Sequence, residues 1–238
     1  MHRDDVPIQK ATAYHDGLGD FFAERADTSP HNAYTDRPAM LRLAGDVSGA
    51  QVLDVGCGAG HYACELSARG AQVVGIEGSA TLLRHARGRL NGHAELVLHD
   101  LEEPLAFAAD ASFDGAVCAL VFHHIRNREQ LLSELRRVLR PGGWLLMSTS
   151  HPTADWRHFG DSYFSHEWSD LVLAAGEHSI HYQRMPLETF LGELLAAGFV
   201  LEQLVEPRPT AALREFDEAA YDKLRQVPSF LAVRLRRP

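Results

Sequence analysis

Long apolar runs, paired cysteines and a surplus of positive charge are all missing from this chain, and each absence excludes a class of protein. No stretch of its 238 residues approaches the roughly 18 apolar residues that a membrane-spanning helix needs. The start, MHRDDVPIQK, lacks the apolar core of an export signal. The three cysteines (Cys57, Cys64 and Cys118) are an odd set with no metal-ligand spacing, so no disulfide framework is expected and a reducing, cytoplasmic setting is. Lysine and arginine number 23 against 32 aspartates and glutamates, a net charge of −9. A nucleic-acid binder needs a basic face to meet phosphates, and only the tail RLRRP (234–238) is locally basic. Neither a nucleic acid nor a membrane is an expected partner.

What is present fits one α/β domain with a sizeable core, since 45% of the residues are hydrophobic. Residues 1–45 are polar and mixed and form an expected helical cap, with short helices near 18–26 and 36–44. Pro38 suits an early position in the second helix and Gly45 its end. From 46 to 238 a single domain is expected. Its short apolar runs QVLDV, AQVVGIE (71–77), AELVLHD (94–100) and FDGAVCAL (113–120) read as strands, and so does WLLMSTS after Pro141-Gly142-Gly143. Helices are expected between them at 60–69, 79–90 and 127–139, the last with Leu131, Leu132, Leu135, Val138 and Leu139 at helical spacing. Strands alternating with helices imply a doubly wound, mostly parallel sheet, because parallel neighbours need crossovers. Residues 151–185 break the rhythm with five histidines and several aromatics and read as a lid inserted over the site. A helix at 187–197, a strand at 199–206 and a last strand at 229–235 complete the pattern.

Ligands on such sheets bind at the carboxyl ends of the strands, where the topology reverses. There the first strand runs into Asp54-Val55-Gly56-Cys57-Gly58-Ala59-Gly60. Glycines let the backbone approach a ligand in conformations that a side chain forbids, and the following helix start presents unpaired N–H groups. Glu77 ends the second strand, where an acid accepts both hydroxyls of a ribose. Asp100, ending the third, is placed to accept from an exocyclic amine such as that of adenine. Either acid alone would read as a surface residue; acids at successive strand ends point to one ligand.

Together VLDVGCGAG, VVGIEGS, LVLHDLEEPLAF, FDGAVCALVFHHI and LRPGGWLLMSTSHP resemble the ordered motifs of the class I S-adenosylmethionine-dependent methyltransferases of the small-molecule branch. The resemblance implies a seven-stranded Rossmann-like sheet whose last strand is antiparallel, with S-adenosylmethionine as cofactor. It sets Gly56, Cys57 and Gly58 against the methionine part, with Asp54 near the amino group. Glu77 would hold the ribose, followed by Gly78 and Ser79. Asp100 and the Leu101 backbone would hold the adenine, and Ala119 and Leu120 would face the sulfonium. Tyr14, in the N-terminal segment, would lie near the cofactor carboxylate or the substrate, with Tyr34 and Arg37 as weaker candidates. Homodimers are common on this fold.

The expected reaction is methyl transfer to oxygen or nitrogen of a small hydrophobic or aromatic molecule. Such an acceptor profits from a base of near-neutral pKa, which suits histidine. His124, after the fourth strand, and His151, ending the fifth, are the expected bases, with His123 behind them. The aromatic group Trp156, Tyr163, Phe164, Trp168 and Tyr182 suggests an apolar acceptor. No metal is expected, because the lid histidines form no cluster with carboxylates. Two rival readings remain. A nicotinamide-dependent oxidoreductase shares the glycine turn and ribose acid, but its G-x-G-x-x-G places the third glycine one residue later. A non-catalytic adenosylmethionine-binding protein on the same fold is the other.

Overall fold

A computed structural model of the chain describes residues 17–173 and 178–238. Tyr14 lies outside them. Seven strands form one sheet in the order β3-β2-β1-β4-β5-β9-β8: β1 (Gln51–Val55), β2 (Gln72–Glu77), β3 (Glu95–Leu98), β4 (Phe113–Ala119), β5 (Leu139–Ser150), β8 (Val200–Val205) and β9 (Phe230–Arg236). Neighbours from β3 across to β5 pair in parallel, whereas β9 runs antiparallel to both β5 and β8. The last strand is thus the antiparallel one, as the family resemblance implies. Among the described residues no helix is long and apolar enough to cross a membrane.

Alternation along the buried strands divides the core into two layers. Leu53 and Leu145 face one layer, which α5 (Arg128–Val138) and α7 (Leu187–Ala196) close with Leu132, Leu135, Phe190 and Leu194. Val52 and Leu146, one residue along, face the other. That layer is closed by Met40 of α2 (Arg37–Ala44), Leu66 of α3 (His61–Ala68) and Leu90 of α4 (Ala80–Leu90). Helix α1 (Gly19–Ala26) packs over α4, where Thr81 fills the space beside Gly19. The chain crosses from β3 on one side of β1 to β4 on the other, which opens a crevice at their carboxyl ends.

Three local features differ from the sequence reading. β3 stops at Leu98, so Asp100 sits in the loop beyond it. Helix α5 stops before the glycines: Leu139 is already extended and pairs with Phe113. Pro141 disfavours a helical Arg140, and Pro141-Gly142-Gly143 forms an irregular stretch of β5 where the register with β4 shifts. Residues 206–228 hold two short helices, α8 (Ala211–Phe216) and α9 (Glu218–Leu224), which each bury a single leucine and so left no periodic signal.

Residues 151–185 contain α6 (Pro152–Phe159) and an antiparallel hairpin of β6 (Trp168–Leu173) and β7 (His178–Gln183), a separate two-stranded sheet. Pairing of Leu171 with Ile180 and Ser169 with Tyr182 puts Ser169, Leu171, Leu173, Ile180 and Tyr182 on one face.

Candidate functional site

The crevice deepens into a cavity of about 1160 Å³ running from the glycine turn to the β6–β7 hairpin. At one end the turn is shaped by backbone that only glycine adopts readily. Gly56 has φ +66, and a Cβ there would lie 2.5 Å from Val121 Cγ2. Gly58 has φ +55 with nothing within 4 Å of its missing Cβ, because that side of the turn faces open cavity. Cys57 is buried: its N–H bonds the Ile76 carbonyl at 2.9 Å, and burial drives its thiol far above the usual range.

Glu77 is fixed by the same turn. Its Oε2 accepts from the Gly58 N–H and its Oε1 from the Ser79 N–H, both at 2.9 Å. The carboxylate is therefore clamped in one orientation at the cavity wall. Ser79 itself is fully buried and N-caps α4 by accepting from the Leu82 N–H at 3.1 Å. Asp54 lies under the turn at 1% exposure. Burial pushes its pKa up to about 7 against a hydrogen bond from the Ala63 backbone, and the nearby Glu77 charge adds to the rise. Its Oδ2 has no hydrogen-bond partner among the described residues.

Gly56, Cys57, Gly58, Glu77, Gly78, Asp100, Leu101, Ala119 and Leu120 all line this one cavity. Asp54 and Ser79 do not reach its wall; they stand behind the turn and behind Glu77. Asp100 Oδ1 accepts from the Glu102 N–H at 3.0 Å, which sets its loop. These residues fit an adenosyl ligand bearing an amine: an anchored acid for vicinal hydroxyls, an acid in the next loop, a glycine face open to the cavity, and an orphaned carboxylate oxygen beneath.

The histidines separate. His124 lines the cavity, and its Nδ1 donates to the His181 carbonyl at 2.9 Å, tying β7 to the turn after β4. His123 is buried with Nδ1 2.9 Å from Thr149 Oγ1. His151 is not at the wall. Its Nδ1 accepts from the Thr153 N–H at 3.2 Å as the cap of α6, and its Nε2 meets Glu206 at 3.1 Å. This structure gives His151 a capping role, so His151→Ala should lower stability by about 0.5–2 kcal/mol in thermal unfolding and leave cofactor affinity unchanged.

The expected aromatic group also divides. Only Tyr182 of the five lines the cavity. Trp168 is on the other face of the hairpin, stacked on His181 at 5.2 Å, while Trp156 and Phe164 are exposed. Tyr163 accepts from the Leu187 N–H. The apolar wall comes instead from Phe21, Phe22, Leu171, Leu173, Ile180 and Phe230. Tyr34 stacks on Phe216 at 5.2 Å, away from the wall, but Arg37 lines it. Sequence reasoning missed two buried pairs there. The Tyr62 hydroxyl donates to Asp36 at 2.6 Å and the Tyr182 hydroxyl to Asp155 at 2.8 Å. Burial raises both acids to about 6. Each pair joins distant segments, and no spacing announces it.

Residues 53–147 match the family model described as a methyltransferase domain. An uncharacterized protein of Haemophilus influenzae is 28% identical over 77% of this chain and 80% of that protein. A ubiquinone biosynthesis O-methyltransferase of Xanthomonas oryzae is 33% identical over 58% of this chain, which spans little more than half (57%) of that relative. The crystal structure of an S-adenosylmethionine-dependent methyltransferase from Mesorhizobium loti superposes with a TM-score of 0.67 at 23% identity, covering 84% of this chain and 96% of that one. With the glycine turn, the anchored Glu77 and the antiparallel last strand, these likenesses lead to one conclusion: residues 53–147 carry a methyltransferase domain on the Rossmann-like fold of the S-adenosylmethionine-dependent enzymes, with S-adenosylmethionine as its cofactor.

Proposed function

We propose that the protein methylates an oxygen of a small, apolar and preferably aromatic molecule. The observation that carries this is a single cavity joining the Glu77–Asp100 end to the apolar face of the lid hairpin. Its volume, about 1160 Å³, exceeds the roughly 300–1,000 Å³ usual for one small ligand, leaving room for an acceptor beside the cofactor. The O-methyltransferase named among the relatives supports oxygen over nitrogen.

When bound, the cofactor supplies the electrophilic methyl group, so this chain mainly positions and desolvates. Glu77 holds the ribose hydroxyls, and Asp100 with the Leu101 backbone holds the adenine. Asp54 stands behind the turn that would meet the amino group, and Arg37 supplies a cation at the wall for the carboxylate. Ala119 and Leu120 flank the sulfonium. Leu171, Leu173, Ile180 and Phe230 exclude water around the acceptor.

His124 serves as a wall residue against the acceptor and as the anchor of the lid through the His181 carbonyl. Losing one such hydrogen bond of about 1.4 kcal/mol should raise the acceptor KM about tenfold in His124→Ala, with cofactor affinity unchanged. If turnover and KM both stay at the wild-type level, that assignment fails. The overall reading is tested by offering phenols, amines, carboxylates and quinones with S-adenosylmethionine and measuring adenosylhomocysteine. A phenol should be turned over in preference to the amines and carboxylates. Exclusive amine methylation would reject it.

A further inference from the structure

The cavity wall also holds polar groups that the positioning roles above do not use. Tyr182 on β7 and Asp155 on α6 are 2% and 8% exposed, yet both line the cavity, as does Ser150 at the end of β5. The Tyr182 hydroxyl donates to Asp155 Oδ1 at 2.8 Å, and the Ser150 hydroxyl bonds the same phenolic oxygen. All the donors point one way, toward the carboxylate. If the pair served only to fasten the lid, apolar side chains would do as well, since burying a carboxylate is costly.

We infer that Ser150, Tyr182 and Asp155 form a proton relay that reads a hydroxyl on the acceptor and takes its proton during methyl transfer. This rests on the methyltransferase reading above. With the Tyr182 proton committed to Asp155, the oxygen of Tyr182 meets the acceptor as a hydrogen-bond acceptor and selects a nucleophile that arrives as O–H. In the step, an acceptor oxygen lone pair forms the bond to the methyl carbon while the carbon–sulfur bond breaks, its electron pair passing to sulfur. The acceptor proton moves to the Tyr182 oxygen as the proton of Tyr182 moves to Asp155. Ser150 steadies the charge that builds on the phenolic oxygen. Asp155 ends protonated and returns its proton to water when the product leaves.

The surroundings set the working pH. Arg184, itself paired to Asp161 at 2.7 Å, acts on Asp155 from the segment after β7. His123 packs edge-on against Tyr182 at 5.2 Å with His124 beyond at 6.4 Å, and Arg157 and His158 share the helix of Asp155. Burial outweighs the Tyr182 hydrogen bond and the Arg184 charge, holding Asp155 near 6. The relay is therefore open above that pH and closes as pH falls through it.

The test uses two 19F NMR probes on the full-length adenosylhomocysteine complex, 4-fluorophenol and its methyl ether 4-fluoroanisole. The phenol should bind about tenfold more tightly, the value of one hydrogen bond to a charged relay. That preference should fade below about pH 6 and vanish in Tyr182→Phe and in Asp155→Asn, with adenosylhomocysteine affinity intact in both as evidence of folding. Ser150→Ala should reduce it in part. Equal affinity for the two probes, no binding of either, or a preference that survives both variants overturns the relay. Failure of the wild type to bind S-adenosylmethionine would instead remove the methyltransferase reading itself.

Discussion

Replacing Glu77 with alanine is expected to weaken S-adenosylmethionine binding about 100-fold or more, read by calorimetric titration. Two ribose hydroxyls on one carboxylate make charge-assisted hydrogen bonds of about 1.5–3 kcal/mol each, and about 1.4 kcal/mol is tenfold in affinity. The variant also strips the Gly58 and Ser79 N–H groups of their acceptor, so the glycine turn loses the contact that orders it. Glu77→Gln should recover little, because its amide must turn an NH₂ toward one of those two N–H donors. A Glu77→Ala variant that binds within a few-fold of wild type would show that the ribose lies elsewhere.

Asp54→Asn is expected to stabilise the cofactor-free protein at slightly alkaline pH while weakening cofactor binding. The carboxyl ionises near 4 in an unfolded chain and near 7 in the folded one, chiefly because it is buried. The fold therefore favours the protonated form. That stability is fully present below about pH 4, fades as pH rises, and is lost above about 7. The ionised carboxylate then costs the free protein on the order of 2–4 kcal/mol, which the neutral amide avoids. The cofactor ammonium, acting across the turn rather than by direct contact, would offset part of that cost, and asparagine lacks the charge to meet it. Differential scanning calorimetry of both proteins across this range should show the variant's advantage growing with pH. A difference constant with pH would contradict the assignment.

Legibility in the sequence followed the reach of the physical constraint. The β1 turn was readable because its glycines answer a local need: positive φ at Gly56, Gly58 and Gly60. Glu77 was readable because strand and turn lengths fix where β2 ends. Asp100 fell two residues outside its strand because β3 pairs only as far as Leu98. The lid was harder. Its aromatics signal an apolar element, but which ones face inward depends on hairpin register, and Trp168 and Tyr182 fall on opposite faces. His151 stood at the expected strand end, yet Glu206, brought in beside β8, and the start of α6 claim both ring nitrogens. The Asp155–Tyr182 pair spans 27 residues and joins two elements whose packing no local pattern encodes.

The most direct test of the central claim is the crystal structure of the adenosylhomocysteine complex. It should show the ribose hydroxyls on the Glu77 carboxylate, the adenine in the Asp100–Leu101 loop and the thioether sulfur beside Ala119 and Leu120. Density for the ligand elsewhere, or a ribose turned away from Glu77, would contradict the account.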